Sequence, residues 1–182
     1  MPTYYSVDRG RSFSQHMELN FLISSSDSGQ LTAPIAEQFG AGLSPHGINY
    51  LIYNNLNNYV QNNGNQPNVI IEYALELLRQ QRYPEKPSRF VSMFGCETLD
   101  EAKHFRGQYF PNRQSTPIYE IISNDRVHKG DMQLLDAGCP IHEFDTRLNA
   151  YWSGESYALY ENYEPFWEII IPLPARTGEQ VA

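Results

Sequence analysis

Pro165-Phe166-Trp167-Glu168-Ile169-Ile170-Ile171-Pro172 is the stretch around which this chain has to be built. Between the prolines every residue except Glu168 is aromatic or β-branched, the composition of a strand. The spacing predicts the last strong strand over Glu164–Pro172. Side chains alternate along a strand, so Glu168 shares a face with Phe166 and Ile170, opposite Trp167 and Ile169. A carboxylate in such a run must be paired, edge-exposed or functional, because burying it alone is costly. Just upstream, Tyr151, Trp152, Tyr157, Tyr160 and Tyr163 are interleaved with Glu155, Glu161 and Glu164. The aromatic residues are therefore densest beside Glu168.

Working outward, Asp145 reads as the cap of a helix through Leu148 and Tyr151 that Gly154 stops. Ile118–Ser123 reads as a strand. Thr98-Leu99-Asp100-Glu101 is a capping box, with Thr98 and Glu101 reaching reciprocally for exposed amides, and a helix of two or three turns should follow. Ahead of it, Phe90–Phe94 reads as a short apolar strand closed by Gly95. Asn68 reads as a helix cap, with a helix reaching about Arg82 and an apolar stripe at Ile71, Ala74, Leu75 and Leu78. The Asn-rich stretch from Asn54 to Asn68 reads as a solvated connector. From Leu31 to Gly47, prolines and glycines predict a long loop with one helical turn at Ile35–Phe39. Ser24–Gly29 reads as a polar loop, Met17–Ile23 as a strand, and Thr3–Val7 as a first strand stopped by Asp8-Arg9-Gly10-Arg11. The order has no regular βαβ alternation, so the expectation is a single α+β domain over residues 1–182.

Composition fits that size. The 182 residues are 41% hydrophobic and 19% charged, with a net charge of −8, which excludes a disordered chain. No run of about 18 apolar residues is present to form a membrane-spanning helix, and the N-terminus has no basic region followed by an apolar core. Residence in the cytoplasm, or delivery by a secretion system that needs no signal peptide, is the expectation. The 13 Tyr, 9 Phe and 2 Trp provide rings that pack while their polar handles stay available. Cys96 and Cys139 lack zinc-ligand spacing and read as reduced cysteines. The five histidines show no H-x-x-x-H or H-E-x-x-H pattern, so no metal site is expected. Neither a nucleophile-elbow serine nor a P-loop motif occurs. Seven of the 13 basic residues lie between Arg79 and Arg113. They read either as solvated helix faces or as a local rim whose Arg forks suit pyrophosphate.

Three stretches taken together resemble a known superfamily. They are Tyr4-Tyr5-Ser6-Val7-Asp8-Arg9; Pro87-Ser88-Arg89-Phe90-Val91-Ser92-Met93-Phe94 followed by Asp100-Glu101-Ala102; and Tyr151-Trp152-x-Gly154 leading to Pro165-Phe166-Trp167-Glu168-Ile169-Ile170. Their order and spacing are similar to those of a bacterial branch of the ADP-ribosyltransferases. The resemblance implies a split α+β core of two small sheets, with helices packed on them and NAD bound in the cleft between. It implies a late-strand glutamate on the nicotinamide ribose, which falls on Glu168 as the catalytic residue. The middle element, with the serine or aromatic that packs the nicotinamide, falls on Ser92, Phe94 and His104. The first strand of the superfamily offers His or Arg to the adenosine-side ribose. Here Tyr5 and Ser6 stand at that position, and Arg9 would reach back from the turn. Arg9 or Arg89 would hold the pyrophosphate, and Phe94 or Tyr151 would stack on nicotinamide.

The function implied is transfer of ADP-ribose from NAD to a macromolecular acceptor, protein more readily than nucleic acid. That activity would suit a toxin, an effector or a phage-defence enzyme with a neutralising partner. An alternative is a non-catalytic interaction module on the same scaffold, binding a partner through its Tyr-rich face. Paired-carboxylate glycoside hydrolysis by Glu164 and Glu168 ranks below both, since four residues of strand separate them by roughly 13 Å.

Overall fold

The computed structural model describes residues 2–24, 33–53 and 68–182. The connector at 54–67 and most of the polar loop at 24–29 lie outside the described residues. In chain order the elements are β1 Thr3–Val7, β2 Glu18–Leu19, β3 Ile23–Ser24, α1 Ala33–Gln38, β4 Gly42–Leu43 and α2 Pro45–Ile48, which runs into a π-turn at Asn49–Tyr53. They continue with α3 Asn68–Arg82, a 3-10 turn at Arg89–Val91, β5 Ser92–Gly95, α4 Leu99–Tyr109, β6 Ile118–Ile122 and β7 His128–Asp131. A 3-10 turn at Met132–Leu134, α5 Ile141–Ser153, β8 Trp167–Pro172 and β9 Ala175–Gln180 complete the chain. The class is α+β, with two principal antiparallel sheets ordered β1-β6-β9-β2 and β5-β8-β7, and a small β3-β4 pairing.

β8 is the central strand of the second sheet, and its sequence explains why. Ile170 is buried among Leu75, Leu78, Leu134, Leu148 and Trp152, the cluster formed with α3 and α5. Ile169 and Ile171 are buried on the other face with Tyr119, Ile121 and Leu173. A strand covered on both faces needs a continuous apolar run, and Glu168 is the polar residue that interrupts it. The alternation expected from the sequence holds: Glu168 lies on the Ile170 side, toward α3 and α5.

The first strand, the helix over Asn68–Arg82 with its buried Ile71, Leu75 and Leu78, and the reciprocal capping box of Thr98 and Glu101 form as the local sequence dictates. The Asn68 side chain is outside the described residues. Other elements depart from expectation. Met17–Ile23 is broken into two short strands because Leu19 pairs into one sheet and Ile23 into another. Phe90 belongs to a 3-10 turn capped by Ser88 rather than to the strand, which starts at Ser92. α5 begins four residues before Asp145, at Ile141. Glu164 precedes β8 instead of belonging to it, so the strand spacing to Glu168 does not apply. β7 and β9 have weakly strand-forming sequences, and it is pairing with β8 and β6 that makes them strands.

Candidate functional site

Besides the Ile169 and Ile171 packing, the two principal sheets are joined through backbone where β1 meets the end of β5. Tyr5 and Cys96 exchange backbone hydrogen bonds of 2.9 and 2.7 Å, and the Ser6 hydroxyl donates to the Phe94 carbonyl at 2.8 Å. Beside this seam lies a cleft of two adjoining chambers. Arg9, Phe94, Phe105, Met132 and Glu168 line both. The smaller is walled mainly by apolar groups, with Tyr5, Val7, Cys96, Phe166 and Trp167 added. The larger encloses about 400 Å³ and adds His46, Tyr50, Glu72, Arg89 and Tyr109, a size ordinary for ligand sites.

Glu168 stands between the chambers and is held from beneath. Arg89 Nη1 donates to its Oε1 at 2.5 Å, and the Tyr151 hydroxyl donates to the same oxygen at 2.8 Å. No described group donates to Oε2. On the neighbouring strand Gly130 lies opposite Glu168, and a Cβ there would come within 2.5 Å of the Tyr151 ring. That glycine leaves the room in which the tyrosine reaches the carboxylate. Arg89 also forks onto Glu72, Nε to Oε2 at 2.8 Å and Nη2 to Oε1 at 2.9 Å, and lies 4.5 Å from the Phe94 ring centre. Two carboxylates thus share one guanidinium, with side-chain exposures of 7% for Glu72, 12% for Glu168 and 8% for Arg89.

The titration behaviour follows from this packing. Burial alone would raise the Glu72 carboxyl, but Arg89 and His46 beside it prevail and hold it at about 2. Burial disfavours the Arg89 cation, yet Glu168 and Glu72 together keep it charged well beyond the usual range. Burial, opposed by the Arg89 cation but reinforced by Glu168, keeps the Tyr151 phenol protonated, and a protonated phenol is what can donate to a carboxylate. Cys96, buried and near Glu101 and Glu168, is pushed up to about 12. A thiol in that state is no nucleophile.

His46 is brought to the larger chamber by local structure. Ser44 caps α2 by accepting from the Gly47 amide, while its own amide and hydroxyl both donate to the Phe90 carbonyl at 3.0 Å. Gly47 lies so close to that carbonyl that a Cβ would come within 2.1 Å of the oxygen. The result sets His46 Nε2 3.0 Å from Glu72 Oε2 and its ring 4.8 Å from Phe94.

Of the residues singled out in the sequence, Tyr5, Arg9, Phe94 and Glu168 line the cleft. Ser6 lines it too, with its hydroxyl engaged on Phe94. Arg89 reaches the larger chamber, but its guanidinium is committed to Glu72 and Glu168, which leaves Arg9 as the exposed cleft cation with no described acceptor on its side chain. Tyr151 is fully buried and serves Glu168 from below, so it presents no stacking surface. Ser92 is buried, donating to the Ser88 carbonyl at 2.7 Å. His104 faces a separate hollow with Gln108, Gln133, Tyr160 and Glu164, on the far side of Phe166. The basic stretch from Arg79 to Arg113 forms no single rim, because Arg79 is taken by Glu76 and Arg106 by the Thr116 carbonyl. Glu72, His46, Phe105 and Met132 escaped sequence reasoning. The one local signal for His46 was Ser44-Pro45-His46-Gly47, a serine cap followed by proline at the first helical position. Among the described residues no group of three His, Cys, Asp or Glu gathers to hold a metal ion, and no helix is long and apolar enough to cross a membrane.

The chain belongs to the family described as protein of unknown function (DUF2441), whose sequence model matches residues 12–175. The match takes in His46, Glu72, Arg89, Tyr151 and Glu168, and starts after the β1 residues Tyr5 and Ser6 and after Arg9 in the turn that follows. No curated protein matches the chain.

Proposed function

We propose that this chain is an NAD-dependent mono-ADP-ribosyltransferase, built on a split two-sheet core of the ADP-ribosyltransferase kind, that moves ADP-ribose from NAD to a macromolecular acceptor. The observation that carries the reading is Glu168: a carboxylate near the start of β8 at the junction of two chambers, with one oxygen fixed by Arg89 and Tyr151 and the other without a described donor. Breaking a nicotinamide–ribose bond builds positive charge on the sugar carbon, as in glycoside cleavage. A carboxylate that is already oriented stabilises that charge without reorganising. Its undonated Oε2 suits a ribose hydroxyl. The aromatic chamber of Tyr5, Phe94, Phe105, Phe166 and Trp167 suits a flat ring, and Arg9 beside it suits a pyrophosphate oxygen. A protein acceptor agrees with the net charge of −8, which disfavours broad contact with a phosphate backbone.

The test is incubation of the purified protein with labelled NAD and a cell extract, followed by detection of label on macromolecules. Transfer is expected from the wild type and should fall by about 10²–10³-fold in Glu168→Gln, the scale for loss of one fixed electrostatic partner. Equal transfer by the two proteins removes Glu168 from the chemistry. Absence of any heat on titration with NAD refutes the enzyme and favours an interaction module.

A further inference from the structure

The proposed transfer releases a proton from the acceptor, and Glu168 is badly arranged to receive it, since Arg89 and Tyr151 already donate to its Oε1 and its Oε2 is the oxygen given to the ribose hydroxyl. Glu72 is no better placed, because both of its oxygens are taken by the Arg89 fork. The larger chamber holds another proton acceptor. We propose that His46, oriented by Glu72, is the general base that takes the proton of the acceptor, and that the acceptor's N–H or O–H nucleophile enters through the larger chamber. This inference rests on the ADP-ribosyltransferase reading.

The geometry is that of a carboxylate–histidine pair. His46 Nε2 lies 3.0 Å from Glu72 Oε2. The contact is an ionic one rather than an aligned hydrogen bond, Nε2 being buried without another partner; a carboxylate at that distance draws the proton to Nε2 and leaves Nδ1 as the acceptor nitrogen. Nothing among the described residues bonds Nδ1. The side chain is 18% exposed, so it is accessible from the chamber yet fixed by Tyr50 and Phe94, whose rings lie 4.7 and 4.8 Å away. Glu72 keeps its charge because Arg89 forks onto it. The charged and titratable groups facing the imidazole are Glu72 from α3 and Arg89 from the 3-10 turn before β5, with Tyr50 from its own segment. Arg9, Tyr109 and Glu168 line the same chamber. In the transfer the C–N bond between ribose and nicotinamide breaks, its electron pair leaving with nicotinamide, which departs neutral. The acceptor heteroatom bonds the same ribose carbon, and its proton passes to His46 Nδ1 and then to water.

The experiment measures transfer at saturating NAD for wild type, His46→Gln and His46→Ala, with NAD affinity by calorimetry. His46→Gln should lose about 10²–10⁴-fold in rate, with NAD affinity kept within about twofold, since the base acts on the acceptor. Added imidazole should restore part of the His46→Ala rate, which a purely structural role would not permit. A His46→Gln rate equal to wild type, or a His46→Ala rate that added imidazole leaves unchanged, overturns the assignment of His46 while leaving the transferase reading intact. If one variant fails to fold, the other still decides. Wild-type protein that neither binds NAD nor transfers ADP-ribose overturns the reading itself.

Discussion

Replacing Arg89 by methionine keeps most of the side-chain volume and removes the charge on which two carboxylates depend. Arg89 Nε and Nη2 hold Glu72 at 2.8 and 2.9 Å, and Nη1 holds Glu168 at 2.5 Å. Breaking a buried ion pair by removing one partner costs about 3–5 kcal/mol, because the remaining charge is left uncompensated. Glu72 gives an independent figure. Its fall from 4.5 to about 2 corresponds to about 3 kcal/mol at about 1.4 kcal/mol per tenfold in ionisation constant. That stabilisation is fully present above about pH 4.5, where an unfolded glutamate is ionised, and is lost as pH falls through 4.5 toward 2. In Arg89→Met the orphaned carboxyl titrates above an unfolded glutamate, so its penalty fades on acidification. The two proteins should therefore differ by about 3–5 kcal/mol at pH 7, about 2 M in urea midpoint for an ordinary slope; the gap should narrow at pH 4 and close only toward pH 2, where folded Glu72 itself takes up its proton. Urea denaturation followed by circular dichroism at both values checks this. A difference below about 1 kcal/mol at pH 7, or one equally large at pH 4, would refute the reasoning.

Two further predictions concern the supports of the site. Gly47→Ala places a methyl group 2.1 Å from the Phe90 carbonyl oxygen, so α2 must lift. A thermal melt should show a loss of about 1–3 kcal/mol, and an unchanged midpoint would mean that α2 does not lie where the Ser44–Phe90 bonds put it. His128 is buried against Trp152 at 5.1 Å between ring centres, with Nε2 2.8 Å from the Tyr151 carbonyl. Burial, only partly opposed by that bond, lowers it to about 4 from 6.5. A histidine depressed in the folded state protonates first in the unfolded chain, so stability should decline as pH falls from 6.5 to 4, by about 3 kcal/mol in all. His128→Asn should be less stable at pH 7 but lack most of that decline, as read by melting temperature at pH 7 and 5. The same pH slope in both proteins would mean that His128 is not held neutral.

The parts of the fold that were legible in the sequence are those decided locally. Thr98 and Glu101 satisfy each other's amides within one turn, and Ile71, Leu75 and Leu78 recur at helical spacing, so both helices could be read without a partner. The face of Glu168 followed from strand alternation alone. β7 could not be read that way: His128-Lys129-Gly130-Asp131 has little strand propensity, and only the vacant edge of β8 makes it extend. Arg89 and Tyr151 were read as groups facing a ligand because sequence shows charge and aromaticity but not what lies behind them. Glu72 is 17 residues before Arg89 and becomes its partner only once α3 packs on the sheet. The same packing buries Tyr151 and turns its hydroxyl toward Glu168, so the side chain belongs to core and site together. His46 was invisible because its placement depends on a carbonyl 44 residues away, at Phe90.

The charge arithmetic beneath the cleft bears on why Glu168 is a glutamate at all. A support for the sheet would need at most one carboxylate for one guanidinium, and a well-packed apolar residue would often do as well. Here Arg89 faces both Glu72 and Glu168, so the buried cluster retains one negative charge, with His46 beside it able to offset that charge when protonated. Such an excess is costly in a resting fold and useful where positive charge develops, because a carboxylate already desolvated and aimed needs no rearrangement to meet it. Removing the excess should then separate the two demands. Glu168→Gln, which leaves Glu72 and Arg89 matched one to one, should fold at least as firmly as the other site variants while losing transfer.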